Sequence, residues 1–205
     1  MKKNLSIYII IILHVIGIIG SIIPATSSMT ISLTPANLLI SSFLLIIQTT
    51  DKKAYLFFIV AFTIGMVIEI IGVKTGWPFG EYSYGQVLGV KFMGVPLTIG
   101  VNWLMLSYSI GVITRRLIAN SVLAVIAGAT FMVGVDLLIE PVAIKLGYWS
   151  WAAVEIPFSN YAAWWIISLL ILTIFNLLLQ TEKNKLTLPL IFSQLVYFTC
   201  ILIFS

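Results

Sequence analysis

The sequence predicts an all-α integral membrane protein of about seven transmembrane helices, forming one polytopic domain over residues 1–205. Three observations predict it. Of 205 residues, 60% are hydrophobic and 9% charged, against roughly 25% charged in a soluble domain. Apolar runs of bilayer length recur along the chain, a spanning helix needing about 20 such residues. Basic residues fall in pairs between every second run: Lys2 and Lys3, Lys52 and Lys53, Arg115 and Arg116, Lys183 and Lys185.

The apolar segments lie at about 5–23, 35–50, 54–73, 95–114, 119–139, 160–180 and 186–204. The first follows a basic head, as in a signal peptide, but its run is close to bilayer length and reads as a membrane helix. The second is the shortest. Thr34 is its expected N-cap and Pro35 its first helical residue. Two connections are long, 74–94 and 140–159; the rest are short, so neighbouring helices should pack antiparallel. Eight basic residues fall on one side and three, Lys74, Lys91 and Lys145, on the other. The positive-inside rule then predicts a cytoplasmic N-terminus, an outer C-terminus and a multi-pass cell-membrane location, bacterial inner membrane being the expected one. The net charge of +4 comes in these short pairs, not in a patch, so no nucleic-acid partner is expected. Cys200, the lone cysteine, can form neither an intrachain disulfide nor a paired metal site.

That orientation sorts the seven acids. Asp51 and Glu182 stand beside cytoplasmic lysines and read as ordinary loop charges. Glu69, Glu81, Asp136, Glu140 and Glu155 all fall at outer helix ends or in the two long loops. An ionisable group within a spanning segment is costly and by default a functional hypothesis. Glu69, about one turn before its helix end, is one such group; snorkelling or pairing with Lys74 is the bland alternative. Asp136 lies at similar depth. Glu140 follows it by four residues, hence on the same helix face, about 6 Å along the axis. Pro141 disfavours helical geometry at the residue before it, so Glu140 is expected to be turning out of the helix. Nearby carboxylates repel, and apolar surroundings penalise charge, a general route to a protonated carboxyl able to act as an acid. A helix end answered by Lys145 is the alternative here.

The 74–94 loop is rich in glycine and aromatics, with Trp77, Tyr82 and Tyr84 around Glu81. The second loop and the segment after it repeat the style with Trp149, Trp151, Glu155, Asn160 and Trp164. Interfacial Trp and Tyr commonly form an aromatic belt. The glycines instead suggest close backbone packing, and two such loops on one face could fold together as a lid whose rings suit a cation. Asn102 and Trp103 sit about two turns into the fourth segment, where Asn102 is either a helix–helix contact or a site residue. His14, in the first segment with no acid or cysteine near it, reads as a satisfied membrane histidine. The sequence contains no HExxH, phosphate-loop or nucleophile-elbow motif, and no metal site is expected.

Three stretches, GWPFGEYSYGQVLGVKFMGVPLTIGVNW, GVDLLIEPVAIKLGYWSW and IPFSNYAAWW, resemble the membrane carotenoid-biosynthesis family of carotenoid hydratases, including the bacterioruberin-pathway hydratase and the carotenoid 1,2-hydratase of the same lineage. The resemblance covers roughly residues 65–180, with the motifs in the family's order. It implies a hydro-lyase that adds water, without a cofactor, to the terminal isopropylidene C=C of an acyclic carotenoid. Its partners would be the carotenoid, the lipid bilayer and other enzymes of the pathway. Protonation would leave a tertiary cation for water to capture. Asp136 or Glu69 would be the acid, Glu140, Glu81 or Asn160 would hold water, and Trp and Tyr rings would line the cation.

Three other readings fit parts of the pattern. A carotenoid cyclase would share the protonation but quench the cation internally, in a dry site. A proton-coupled transporter would use Glu69 and Asp136 as a relay, but such sites usually lie near the midplane, with broken helices and internal repeats, whereas these acids cluster at one end and no repeat is seen. A non-catalytic carotenoid-binding protein would keep the acids as paired structural groups.

Overall fold

The computed structural model describes the backbone of residues 2–205 and the side chains of 4–205. Met1 and the side chains of Lys2 and Lys3, which enter the charge count, lie outside the described residues. The described residues include eight helices: α1 (Lys2–Ile22), α2 (Pro24–Ser32), α3 (Thr34–Ile47), α4 (Lys53–Thr75), α5 (Leu97–Leu117), α6 (Ser121–Lys145), α7 (Phe158–Leu178) and α8 (Thr187–Phe204). Six are long and apolar enough to cross a membrane, and α2 with α3, bent by 53°, brings the number to seven if the pair counts as one span. The expected second span is thus not a single straight helix. Leu33, not Thr34, caps α3 without a side-chain bond, and the Thr34 hydroxyl instead pairs with the Tyr148 phenol at 2.9 Å.

Helix α5 is the axis of the bundle. It packs against α3, α4, α6, α7 and α8, and it is at once the least hydropathic span and the most buried. These two properties belong together, because a helix sheathed in protein need not be uniformly apolar to stay out of water. Small residues set the close approaches, as expected where helices pack in lipid. A Cβ at Gly65 would lie 2.6 Å from Trp103, and one at Gly100 2.6 Å from Met66, so α4 and α5 meet with no spare room. Ile16, Ile59, Ile166 and Leu177 are among many large apolar side chains left exposed on the outside of the bundle, where lipid would cover them.

The α3–α4, α5–α6 and α7–α8 connections gather at one end of the bundle and bring the basic pairs at 52–53, 115–116 and 183–185 with them. Glu182 corrects its sequence reading here. It is buried (5% exposed) and knits this end together. Its carboxylate accepts from the Thr49 and Thr50 hydroxyls at 2.7 Å each and from the backbone N–H groups of Thr50 and Asp51. Burial works against its charge, but the bonds from Thr50 and Thr49 outweigh burial and hold the carboxyl below the usual carboxylate range. Asn184 beside it donates to the Leu45 carbonyl and the Tyr108 phenol.

The long connections meet at the opposite end. Strand β1 (Tyr82–Tyr84) from the first pairs antiparallel with β4 (Trp149–Trp151) from the second, in the register Tyr82 to Trp151, Ser83 to Ser150 and Tyr84 to Trp149. A smaller hairpin of β2 (Lys91–Phe92) and β3 (Val95–Pro96) leads into α5. The two loops thus do fold together. Helix α6 does not stop at Glu140: it continues through Pro141 to Lys145. A membrane helix can carry an interior proline where its surroundings absorb the lost hydrogen bond, and Pro141 sits on an exposed side. Glu140 therefore stays helical, on the face it shares with Asp136.

Candidate active site

Side chains in a strand alternate between faces. In β1 and β4 this turns Tyr82, Tyr84, Trp149 and Trp151 toward the helices and leaves Ser83 and Ser150 exposed on the other face. The ladder continues beyond the strands through Gly85 N–H to Tyr148 O and Ala152 N–H to Glu81 O. Gly85 is required there, because a Cβ would run into the Gly147 carbonyl. Across the ladder the Tyr82 and Trp151 rings lie 5.2 Å apart and the Tyr84 and Trp149 rings 5.9 Å apart. Ser159, at the start of α7, donates to the Phe79 carbonyl and ties the first loop to that helix.

Beneath this aromatic roof lie three buried carboxyls. Glu69 on α4 accepts from the Tyr82 phenol at 2.6 Å, the Tyr84 phenol at 2.7 Å and the Trp103 indole at 3.0 Å. Glu140 on α6 accepts from the indoles of Trp149 at 2.9 Å and Trp151 at 3.0 Å. Asn160 on α7 bridges the two acids of α6: its amide donates to Asp136 at 3.0 Å and to Glu140 at 3.2 Å. Trp103 stacks on Trp164 with ring centres 4.2 Å apart. Both tyrosine phenols are pushed above their ordinary values, first by burial and then by the Glu69 charge. They remain O–H donors at any physiological pH.

The three carboxyls, the ladder rings, Asn102, Asn160, Trp103 and Trp164 together enclose a cavity of about 30 Å³. That is roughly the space of one water. Water is polar enough to be held there, since the walls supply both donors and acceptors.

Ten of the twelve residues proposed from sequence come together in this one chamber: Glu69, Asp136, Glu140, Tyr82, Tyr84, Asn102, Trp149, Trp151, Asn160 and Trp164. Glu81 and Trp77 do not. Glu81 is exposed and contributes its backbone carbonyl to the ladder. Being odd in the alternation that starts at Tyr82, its side chain belongs to the outer face. Trp77 is 67% exposed, just beyond the left-handed Gly76 (φ 72°) that ends α4. Trp103 is the residue missing from the proposed set. Its signal was present: a buried indole N–H seeks an acceptor, and a carboxyl inside a membrane span seeks donors. The partners of Glu69 are neutral donors and not Lys74.

Among the described residues no cluster of three metal-ligating side chains occurs. The model of the family described as "Carotenoid biosynthesis protein" matches residues 12–205. The bisanhydrobacterioruberin hydratase of Haloarcula japonica is 32% identical over 128 residues, which are 58% of this chain and 43% of that protein. The chain thus spans less than half the length of this curated relative. No solved structure matches.

Proposed function

The chain belongs to the carotenoid biosynthesis protein family, and on that premise we propose that it is a carotenoid hydratase, adding water to a terminal isopropylidene C=C of an acyclic carotenoid without a cofactor. The observation that carries this reading is the chamber itself. Carboxyls, a bridging amide and a water-sized space lie together beneath aromatic rings, and protonation followed by capture with water needs each of these.

The donors support a division of roles. Hydrogen bonds donated to a carboxyl favour its charged form. Glu69 and Glu140 each receive three, whereas Asp136 receives one. Asp136 is therefore the proton donor. Its O–H adds a proton to the less substituted alkene carbon, the π electrons form the new C–H bond, and a tertiary cation remains. The carboxylates of Glu69 and Glu140 and the faces of the ladder rings stabilise that cation. Water attacks it, and the surplus proton passes to Glu140 and returns through the chamber to Asp136. The balance is alkene plus water giving a tertiary alcohol. A cyclase would begin with the same protonation. The polar, water-sized chamber favours hydration over that dry alternative. A transporter relay is less well served, because the acids sit beneath a closed roof at one end of the bundle.

The test is expression in cells that make an acyclic carotenoid, with mass analysis of the extracted pigment. A gain of one water per modified end is expected. An isomer of unchanged mass would mean cyclisation, and unaltered pigment from folded protein would refute both.

A further inference from the structure

An apolar cavity adjoins the chamber. It measures about 340 Å³ and lies between α1, α3, α5 and α8, within the ~300–1,000 Å³ range of small-molecule sites. Ile99, Asn102, Ile139 and Trp149 line both spaces, so the two share a wall at the level of the acids. On its far side, Ile16 of α1 and Ile40 of α3 line the cavity yet are 58% and 41% exposed. The cavity therefore opens sideways, between α1 and α3, onto the apolar flank of the bundle. The wall there is the broken α2–α3 pair, bent by 53°, and not a straight span.

The lining accounts for much of its own polarity. His14 is bonded through Nδ1 to the Ile10 carbonyl at 2.8 Å, Ser41 donates to Asn37, and Thr34 pairs with Tyr148. Gln194 Oε1 is buried without a hydrogen-bond partner among the described residues. What remains is an apolar cavity that ends at the wall of the acid-bearing chamber and opens toward lipid.

We infer that this cavity is the substrate channel: an acyclic polyene enters from the bilayer between α1 and α3, and its terminal alkene reaches the acids when Asn102 and Trp149, in the wall between the two spaces, move aside. The cavity holds part of such a chain, and the rest stays in the membrane through the open side. The inference rests on the hydratase reading for the identity of the occupant. Its geometry is independent of any turnover.

Two measurements separate them. Ala36 lines the channel but not the chamber, and Ala36→Trp narrows it. Binding is read as visible polyene absorbance that co-elutes with detergent-solubilised protein, in the Asp136→Asn background so that no product forms. Ala36→Trp should lower retained pigment by about tenfold, equivalent to ~1.4 kcal/mol of affinity. Turnover is then compared on a long acyclic carotenoid and a short monoterpene alkene, and the loss caused by Ala36→Trp should be much greater for the long substrate. Ile40→Trp, at the mouth, serves as a second variant if Ala36→Trp does not fold. Equal losses on both substrates, or full pigment retention in both folded variants, would overturn the channel. Lost pigment in the variants together with no hydration by the wild type would uphold the channel and refute the hydratase.

Discussion

Asp136 and Glu69 are both buried carboxyls in membrane spans, yet their surroundings set them to different tasks. Glu69 is wrapped by two phenols and an indole, while Asp136 has the single amide of Asn160. Asp136→Asn should therefore abolish the proton transfer, a loss of roughly 10²–10⁴-fold for a general acid, with folding preserved because Asn still meets Asn160. Glu69→Gln should retain measurable turnover, since it removes cation stabilisation and not the donor. Pigment mass and initial rates in membranes check both; equal inactivation would remove the distinction. Gly72 offers a subtler handle on the same pair. In an ordinary helix Gly→Ala gains about 1 kcal/mol, but a Cβ here would lie 2.6 Å from the Tyr82 hydroxyl and 2.7 Å from Phe79. Gly72→Ala should lower both the thermal midpoint and turnover, with Tyr82→Phe reproducing the loss of turnover but less of the instability.

The acids were legible in the sequence because charge is rare in a span. The elements that partner them were only half legible. Tyr-Ser-Tyr and Trp-Ser-Trp carry the period of a strand, aromatic on one face and serine on the other, but three residues are too few to declare a strand until the partner is known. The pairing rests on Gly85 meeting the 147–148 backbone, a long-range contact that no local pattern announces. Pro141 was misleading for the opposite reason. The local rule that a residue before proline leaves the helix yields here to a helix carried through by its packing, and Glu140 is delivered to the chamber as a result. Gly85→Val should unzip the ladder, leaving helix content intact in the far-UV while near-UV dichroism from Trp149 and Trp151 falls and turnover is lost. Glu182, dismissed in the sequence as a loop charge, shows that a carboxyl flanked by lysines can still be a buried staple. Its bonds to the 49–51 turn make Glu182→Ala cost about 2 kcal/mol at neutral pH. Because its folded value is depressed, this stabilisation is complete above the unfolded value near ~4.3 and is lost as pH falls through the lower folded value. The gap in thermal midpoint between wild type and Glu182→Ala should thus close in acid; a gap independent of pH would rule out the charged staple.

At the scale of the whole molecule, the two ends of the bundle differ in both charge and work. One end gathers the paired lysines and arginines and is stitched by Glu182 and Asn184; the other carries the aromatic roof and the acids. Pro24, just after α1, lines a cleft with Gln86 and Leu146 at the roof end, so α1 ends there and starts at the basic end. Basic residues are retained on the cytoplasmic side because they resist translocation during insertion. The roof is then predicted to face away from the cytoplasm, with the chamber near the outer surface and its substrate arriving through the membrane flank. In a Cys200→Ala background, single cysteines at Glu155 and Glu81, both exposed loop positions, should react with a membrane-impermeant maleimide in intact cells. A cysteine at the exposed Lys183 should react only after the cells are opened. Labelling in the reverse order would turn the molecule over and place the chamber on the cytoplasmic side, leaving the chemistry intact but changing the compartment that supplies its water.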